Sequence, residues 1–238
     1  MKLINEKLLN DTLNPLIWNE NDTLKQDVKT SLLNIVNKFL EGLDKNNIRV
    51  DVRDARIVGS NASYNYTLNS DLDIHVIVNM NIFDEETKRI MNLIYNYYKS
   101  SFNDKYNIKV KGINVELYIE EEGQEAVSNG IYSLYKDKWI KKPQLLEEPQ
   151  VNIDEPLNYM INKYLDIELM NNKEKAQSFL DTLYINRVRS LALEGEFGVD
   201  NLIFKEFRNR GYIDKLKEII KEGESKELSL ESLQELLK

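Results

Sequence analysis

The chain has 238 residues, 42% hydrophobic and 30% charged, which suffices for one large or two small cores and excludes a disordered chain. Its formal net charge of −8 repels nucleic acid at long range, so a nucleic-acid partner would need a local basic patch. The lack of cysteine excludes disulfides and thiolate metal sites. No apolar run reaches the ~18 residues of a membrane span, and we therefore expect a cytoplasmic protein with no membrane partner.

The first elements are predicted from the spacing of apolar residues. Residues 1–22 are polar with scattered apolar anchors, which predicts a short arm on the surface without informative chemistry. From Thr23, apolar residues recur at steps of three and four until Gly42 and residues 44–47, the pattern of an amphipathic helix. Residues 48–58 are predicted to form the first core strand.

The middle of the chain alternates between predicted strands and a helix. Residues 72–78 are apolar at most positions, as in a strand covered on both faces. Asp84 is predicted to cap the next helix. Alternating residues around Gly112 then predict a hairpin or a bulged strand. Residues 127–135 and 139–140 favour a further short strand pair or a loop.

The C-terminal part is predicted to be helical. Residues 144–156, counted together with Pro143, hold three of the four prolines and few apolar side chains, which predicts a linker. Beyond the linker, Gly195, Gly211 and Gly223 are each predicted to end a helix. The predicted helices span residues 157–170, 176–193, 201–210 and 213–221, and a last leucine-rich helix runs to residue 237.

Two aspartates begin the strand at residues 72–78. Alternate side chains of a strand share a face, so Asp71 and Asp73 are expected to project side by side. Glu116 lies between Val115 and Leu117 on another predicted strand and supplies a third acid. Three carboxylates are hard oxygen ligands of the kind that suits magnesium. The residue pattern therefore predicts a metal site.

These motifs resemble the nucleotidyltransferase domain of the DNA polymerase beta superfamily over roughly residues 48–120. The resemblance is carried by the segments Val58-Gly59-Ser60, Ser70-Asp71-Leu72-Asp73-Ile74 and Val115-Glu116-Leu117. It implies an α+β fold, with a mixed sheet and flanking helices in residues 1–145 and a helical domain in residues 146–238 that closes one wall of the cleft. It also implies transfer of a nucleoside monophosphate from a triphosphate such as ATP to a hydroxyl, with release of pyrophosphate.

The resemblance assigns roles to individual residues. Asp71 and Asp73 would bridge two Mg²⁺ ions, for which Mn²⁺ is a substitute, and Glu116 would complete the site of the ion that activates the acceptor hydroxyl. Gly59 and Ser60 would hold the β and γ phosphates at a helix N-terminus. The full set of predicted nucleotide contacts is Gly59, Ser60, Asn61, Ser63, Tyr132, Ser133 and Lys136.

Several residues have two alternative interpretations. The segment from Ser128 to Ser133 suits a ribose and a stacked base as well as an ordinary turn and strand. The lysines around Trp139 suit either a nucleic-acid end or a solvated loop, and His75 suits either a place beside the metals or the core. The acceptor is expected to be an RNA or oligonucleotide 3′ end. The alternatives are a protein or small-molecule hydroxyl, or a nucleotide-binding protein without catalysis.

Overall fold

The computed structural model describes residues 9–124, 128–145 and 151–229. The chain divides into two compact units, Met1–Glu148 and Pro149–Lys238, which we call the sheet unit and the helical unit. The described residues form an α+β structure, with a six-stranded mixed sheet in the sheet unit and four α-helices in the helical unit. No helix among the described residues has the length and apolar character needed to cross a membrane.

The sheet has the strand order β3-β4-β2-β1-β5-β6. Strands β2 and β4 are parallel, and the other neighbours are antiparallel. The elements are α1 (Gln26–Lys45), β1 (Val52–Val58), β2 (Leu72–Val78), α2 (Glu85–Lys105), β3 (Lys109–Val110), β4 (Ile113–Glu121), β5 (Ile131–Ser133) and β6 (Lys138–Lys141). The predicted bounds of β2, the Asp84 cap of α2 and the hairpin around Gly112 are confirmed.

One face of the sheet packs on α1 and α2. Leu72, Ile74 and Val76 of β2 are completely buried in a core that also contains Phe39 of α1 and Phe102 of α2. Burial of these large side chains contributes ~1.5–3 kcal/mol each. Since side chains alternate along a strand, burying this set leaves the intervening residues of β2 on the opposite face.

The start of the described chain belongs to the core, and the prediction of a surface arm is wrong. Leu13, Ile17 and Trp18 are buried in the same core as the two long helices. The Trp18 ring stacks on Trp139, with ring centroids 4.5 Å apart. The segment has no helical or strand periodicity, so only their distant partners show that Leu13, Ile17 and Trp18 are interior.

The helical unit contains the predicted helices with two corrections. Its elements are α3 (Asp154–Met170), α4 (Lys173–Glu194), α5 (Val199–Asn209) and α6 (Tyr212–Leu228). Helix α3 takes in the end of the predicted linker, because Asp154, Glu155 and Pro156 suit a first helical turn. Helix α6 continues through Gly223, where a Cβ would lie 2.7 Å from the Cβ of Lys173, so this glycine allows close packing. Most of the predicted last helix lies outside the described residues.

Candidate active site on the sheet face opposite the helices

The three predicted carboxylates lie on the sheet face opposite α1 and α2. Asp73 of β2 is directly opposite Glu116 of β4 in the parallel pairing. Asn114, two residues before Glu116, donates a hydrogen bond to Asp71 Oδ1 at 3.4 Å. Residues two apart on a strand point the same way, so Asn114 and Glu116 lie on one face of β4. Because Asn114 contacts Asp71, we place Asp71 on that face as well. We call the surface formed by Asp71, Asp73 and Glu116 the carboxylate face; each of the three residues is half-buried.

Burial and all three carboxylates contribute to a raised pKa of Tyr118. Its hydroxyl donates to Glu116 Oε2 at 2.5 Å. Burial raises the pKa of Tyr118 above its usual value, and the hydrogen bond to Glu116 and the negative charges of Glu116, Asp73 and Asp71 raise it further. The phenol therefore stays protonated at neutral pH and acts as a donor to Glu116.

The oxygen atoms of Asp71, Asp73 and Glu116 are the type of ligand that suits a magnesium or manganese ion. Among the residues that the structure describes, no three acidic or histidine side chains are gathered tightly enough to hold a metal ion as they stand. Glu116 is turned toward Tyr118, and Asp71 toward Asn114. Like charges on one face repel, and hydrogen bonds to neutral donors offset that repulsion. Three carboxylates on neighbouring strands supply the oxygen ligands that such ions prefer.

Gly59 lies directly against the carboxylate face. It follows Val58, which pairs with Asp73, and its φ is +73°. A Cβ at this position would collide with Asp73 Oδ2. Glycine is required here for both reasons, since other residues rarely adopt this backbone conformation. Gly59 donates its N–H to Ser128 Oγ at 3.0 Å, and Ser60 opens the short 3-10 turn Ser60–Ala62.

Asn61 and Ser63, two of the predicted nucleotide contacts, are buried and form hydrogen bonds within the sheet unit. The Asn61 side chain is completely buried. Its Nδ2 donates to Asp71 O at 2.8 Å and Ser70 O at 3.2 Å. Ser63 is also buried, and its hydroxyl accepts from Asn129 Nδ2 at 3.1 Å. Both side chains hold the loop together.

Tyr132 and Ser133, two more of the predicted nucleotide contacts, are likewise interior. The Tyr132 ring lies in the core, 5.0 Å from that of Trp18 between centroids. The Ser133 hydroxyl is buried, donates to Asp54 Oδ1 at 2.7 Å and accepts from the Lys136 N–H. The Lys136 side chain is exposed. Of the seven predicted contacts, Gly59, Ser60 and Lys136 are therefore the accessible ones.

His75 lies on the same side of the sheet as the carboxylate face, opposite the core that contains α1 and α2. Strand alternation places it on the face of Asp73, and its Nδ1 lies 2.5 Å from Glu120 Oε2. Its ring is 5.1 Å from that of Tyr118 between centroids. His75 and Glu120 extend the polar surface of β2 and β4 away from the three carboxylates.

The lysine-rich segment near Trp139 is organised around contacts within the unit. The indole N–H of Trp139 donates to Asp22 O at 2.8 Å, and one side of its ring is stacked on Trp18. Lys141 donates to Ser128 O at 2.7 Å, and Lys142 pairs with Asp22 at 2.8 Å. The side chains of Lys136 and Lys138 are exposed. The ring thus serves packing. All four lysines are exposed, and two of them, Lys141 and Lys142, have partners within the unit.

Sequence reasoning missed the residues that support the site from a distance. Asn14 donates from Nδ2 to Asn61 Oδ1 at 2.8 Å, and Asn114 contacts Asp71. No motif marks Asn14, because polar residues in irregular segments carry no periodicity. Asn114 lies on β4, and its contact with Asp71 depends on the pairing of two strands that are distant in the sequence. No family model matches the chain, and no curated protein or solved structure matches it either.

Proposed function

We propose that the sheet unit is a nucleotidyltransferase domain of the polymerase beta type, which transfers a nucleoside monophosphate from a triphosphate to a hydroxyl and releases pyrophosphate. The observation that carries the proposal is the carboxylate face. Asp73 is paired with Glu116 across parallel strands, and Asp71 lies beside them. Gly59 lies against Asp73 without room for a side chain. The Gly-Ser turn and the three acids are thus adjacent in space.

The proposed reaction assigns a task to each of these residues. Asp71 and Asp73 would hold two Mg²⁺ or Mn²⁺ ions, and Glu116 would hold one of them. When bound, such ions stabilise the charge on the attacking oxygen of the acceptor and on the leaving oxygen of pyrophosphate. Tyr118 orients Glu116 through its hydrogen bond. Gly59 lets the main chain approach the triphosphate, and the Ser60 hydroxyl donates to it.

The first candidate acceptor is an RNA or oligonucleotide 3′ hydroxyl. Lys136 and Lys138 are exposed and supply positive charge for phosphates. The second candidate is a protein or small-molecule hydroxyl. It is favoured by the packing of Trp139 on Trp18, which commits one side of the ring to the core, and by the net charge of −8.

The test supplies each labelled nucleoside triphosphate with Mg²⁺ or Mn²⁺ and total RNA. We expect label in extended RNA if RNA is the acceptor, and in protein or a small product otherwise. The double variant Asp71→Ala plus Asp73→Ala is the control and should lose the label. Unchanged labelling in this variant would contradict the metal-site assignment. Triphosphate binding without turnover on any acceptor would instead favour a nucleotide-binding protein.

A further inference from the structure

We propose that Asn61, oriented by Asn14, is a positioning residue that holds Asp71 in place for metal binding. This inference rests on the proposed function, since it concerns the same carboxylate face. Asn61 follows Ser60 directly in the chain, so it joins the Gly-Ser turn to the residue that precedes β2. The positioning acts through the main chain of Asp71, whose carbonyl oxygen accepts from Asn61.

Asp71 lies just outside the ladder that includes Asp73. The ladder between β2 and β4 begins at Leu72, opposite Val115, and continues through Asp73 opposite Glu116. Asp73 is therefore held by the sheet, whereas Asp71 precedes the strand. The hydrogen bond from Asn61 Nδ2 to Asp71 O, 2.8 Å long, supplies a main-chain restraint at this point. The donor, Asn61, is completely buried, and a hydrogen bond is strengthened where the surroundings have a low dielectric constant.

A chain of donors determines which end of the Asn61 amide faces Asp71. The Leu16 N–H donates to Asn14 Oδ1 at 3.0 Å, which leaves the Asn14 Nδ2 group pointing to Asn61. Asn14 Nδ2 then donates to Asn61 Oδ1 at 2.8 Å. Asn61 must consequently present its own Nδ2 to the carbonyl oxygens of Ser70 and Asp71. A main-chain N–H, whose direction cannot reverse, begins the series.

The rest of the Asn61 residue is held by the same N-terminal segment. The Trp18 indole N–H donates to Asn61 O at 2.8 Å, and both residues are buried. The segment that contains Leu16 and Trp18 is therefore part of the support of the site. Outer hydrogen bonds of this kind alter metal affinity by ~10–100-fold when they are removed.

The test compares two variants of the same segment. Asn14→Ser keeps a hydroxyl that can accept from the Leu16 N–H but is too short to reach Asn61. Asn10→Ala is the matched control, because Asn10 Nδ2 donates to the carbonyls of Tyr64 and Tyr66 in the same loop, away from Asp71. Thermal unfolding of both variants measures the general loss of stability, and calorimetric titration with Mn²⁺ measures metal affinity without any turnover.

We expect Asn14→Ser to weaken Mn²⁺ binding ~10-fold and Asn10→Ala to change it less than ~2-fold. Asn61→Ala should weaken Mn²⁺ binding at least as much as Asn14→Ser. If Asn61→Ala does not fold, the Mn²⁺ affinity of Asn14→Ser tests the positioning role by itself. Wild-type affinity in Asn14→Ser, or an equal loss in Asn10→Ala, would overturn the positioning role. Failure of the wild type to bind Mn²⁺ through Asp71 and Asp73 would overturn the proposed function itself.

Discussion

The carboxylate face and the lysine segment around Trp139 are both charged regions of the sheet unit, but the fold uses them differently. Asp73 and Glu116 alternate with buried apolar residues, and that alternation keeps them off the helix-packed face. The neighbours of Trp139 in β6 are exposed, so no alternation of buried and exposed residues sets the direction of its ring. The ring packs on Trp18. The comparison shows that a polar residue within a buried strand has its direction set locally. An aromatic residue in a short edge strand has its partner set by the rest of the fold.

The largest expected effect tests whether the carboxylate face is catalytic. Asp73→Asn should lower the transfer rate ~10³-fold, equivalent to several kcal/mol of lost transition-state stabilisation, because it would remove the charge of one proposed metal ligand. Its free energy of unfolding should change little, because the residue is half-buried beside other acids. Transfer kinetics and urea unfolding measure the two quantities.

Asp54 is the matched control for that variant. It is a second aspartate in the sheet, but it is buried and accepts from Ser133 Oγ and the Ala55 N–H. Asp54→Asn should lower the free energy of unfolding by ~1–3 kcal/mol and keep the transfer rate. Equal rates in Asp73→Asn and Asp54→Asn would show that the carboxylate face has no catalytic role.

The next effect tests whether Trp139 is a packing residue. Trp139→Ala should lower the free energy of unfolding by ~2–4 kcal/mol, because the contact with Trp18 is lost and a cavity remains. RNA affinity, measured by fluorescence anisotropy, should stay near that of the wild type. A base-stacking residue would give the reverse result, with ~1–3 kcal/mol of binding lost and stability retained.

Gly59→Ala should then separate contact with the site from backbone strain. Gly59 and Gly112 both have positive φ, but a Cβ at Gly112 would meet no atom within 4 Å. Each change to alanine should cost ~1–3 kcal/mol of stability through the backbone, because alanine rarely adopts a positive φ. Only Gly59→Ala should also weaken Mn²⁺ binding, since its Cβ displaces Asp73. Equal Mn²⁺ affinity in the two variants would contradict the placement of Gly59 against the carboxylate face.

The smallest expected effect distinguishes the two acceptors. Lys136→Ala plus Lys138→Ala should change the free energy of unfolding by less than ~0.5 kcal/mol, because both side chains are exposed. If RNA is the acceptor, the slope of log affinity against log salt concentration should become shallower by ~2, one for each lost phosphate contact. An unchanged slope would favour a protein or small-molecule hydroxyl.

Part of the fold and of the site was predictable from local patterns. The bounds of β2 and the helix capped by Asp84 follow from apolar spacing and capping chemistry. The common direction of Asp71 and Asp73 follows from the two-residue repeat of a strand. These features depend on neighbours along the chain, and neighbours along the chain are what a sequence displays.

The tertiary structure alone decided which polar residues are interior. Asn61 and Ser133 have the side chains of ligand contacts, but partners from distant segments, Asn14 and Asp54, hold them inside the sheet unit. The parallel pairing that sets Asp73 opposite Glu116 also joins distant strands, with α2 between them. Burial and pairing depend on which distant groups satisfy each donor and acceptor. That choice is made by packing the whole unit and leaves no periodic trace in the sequence.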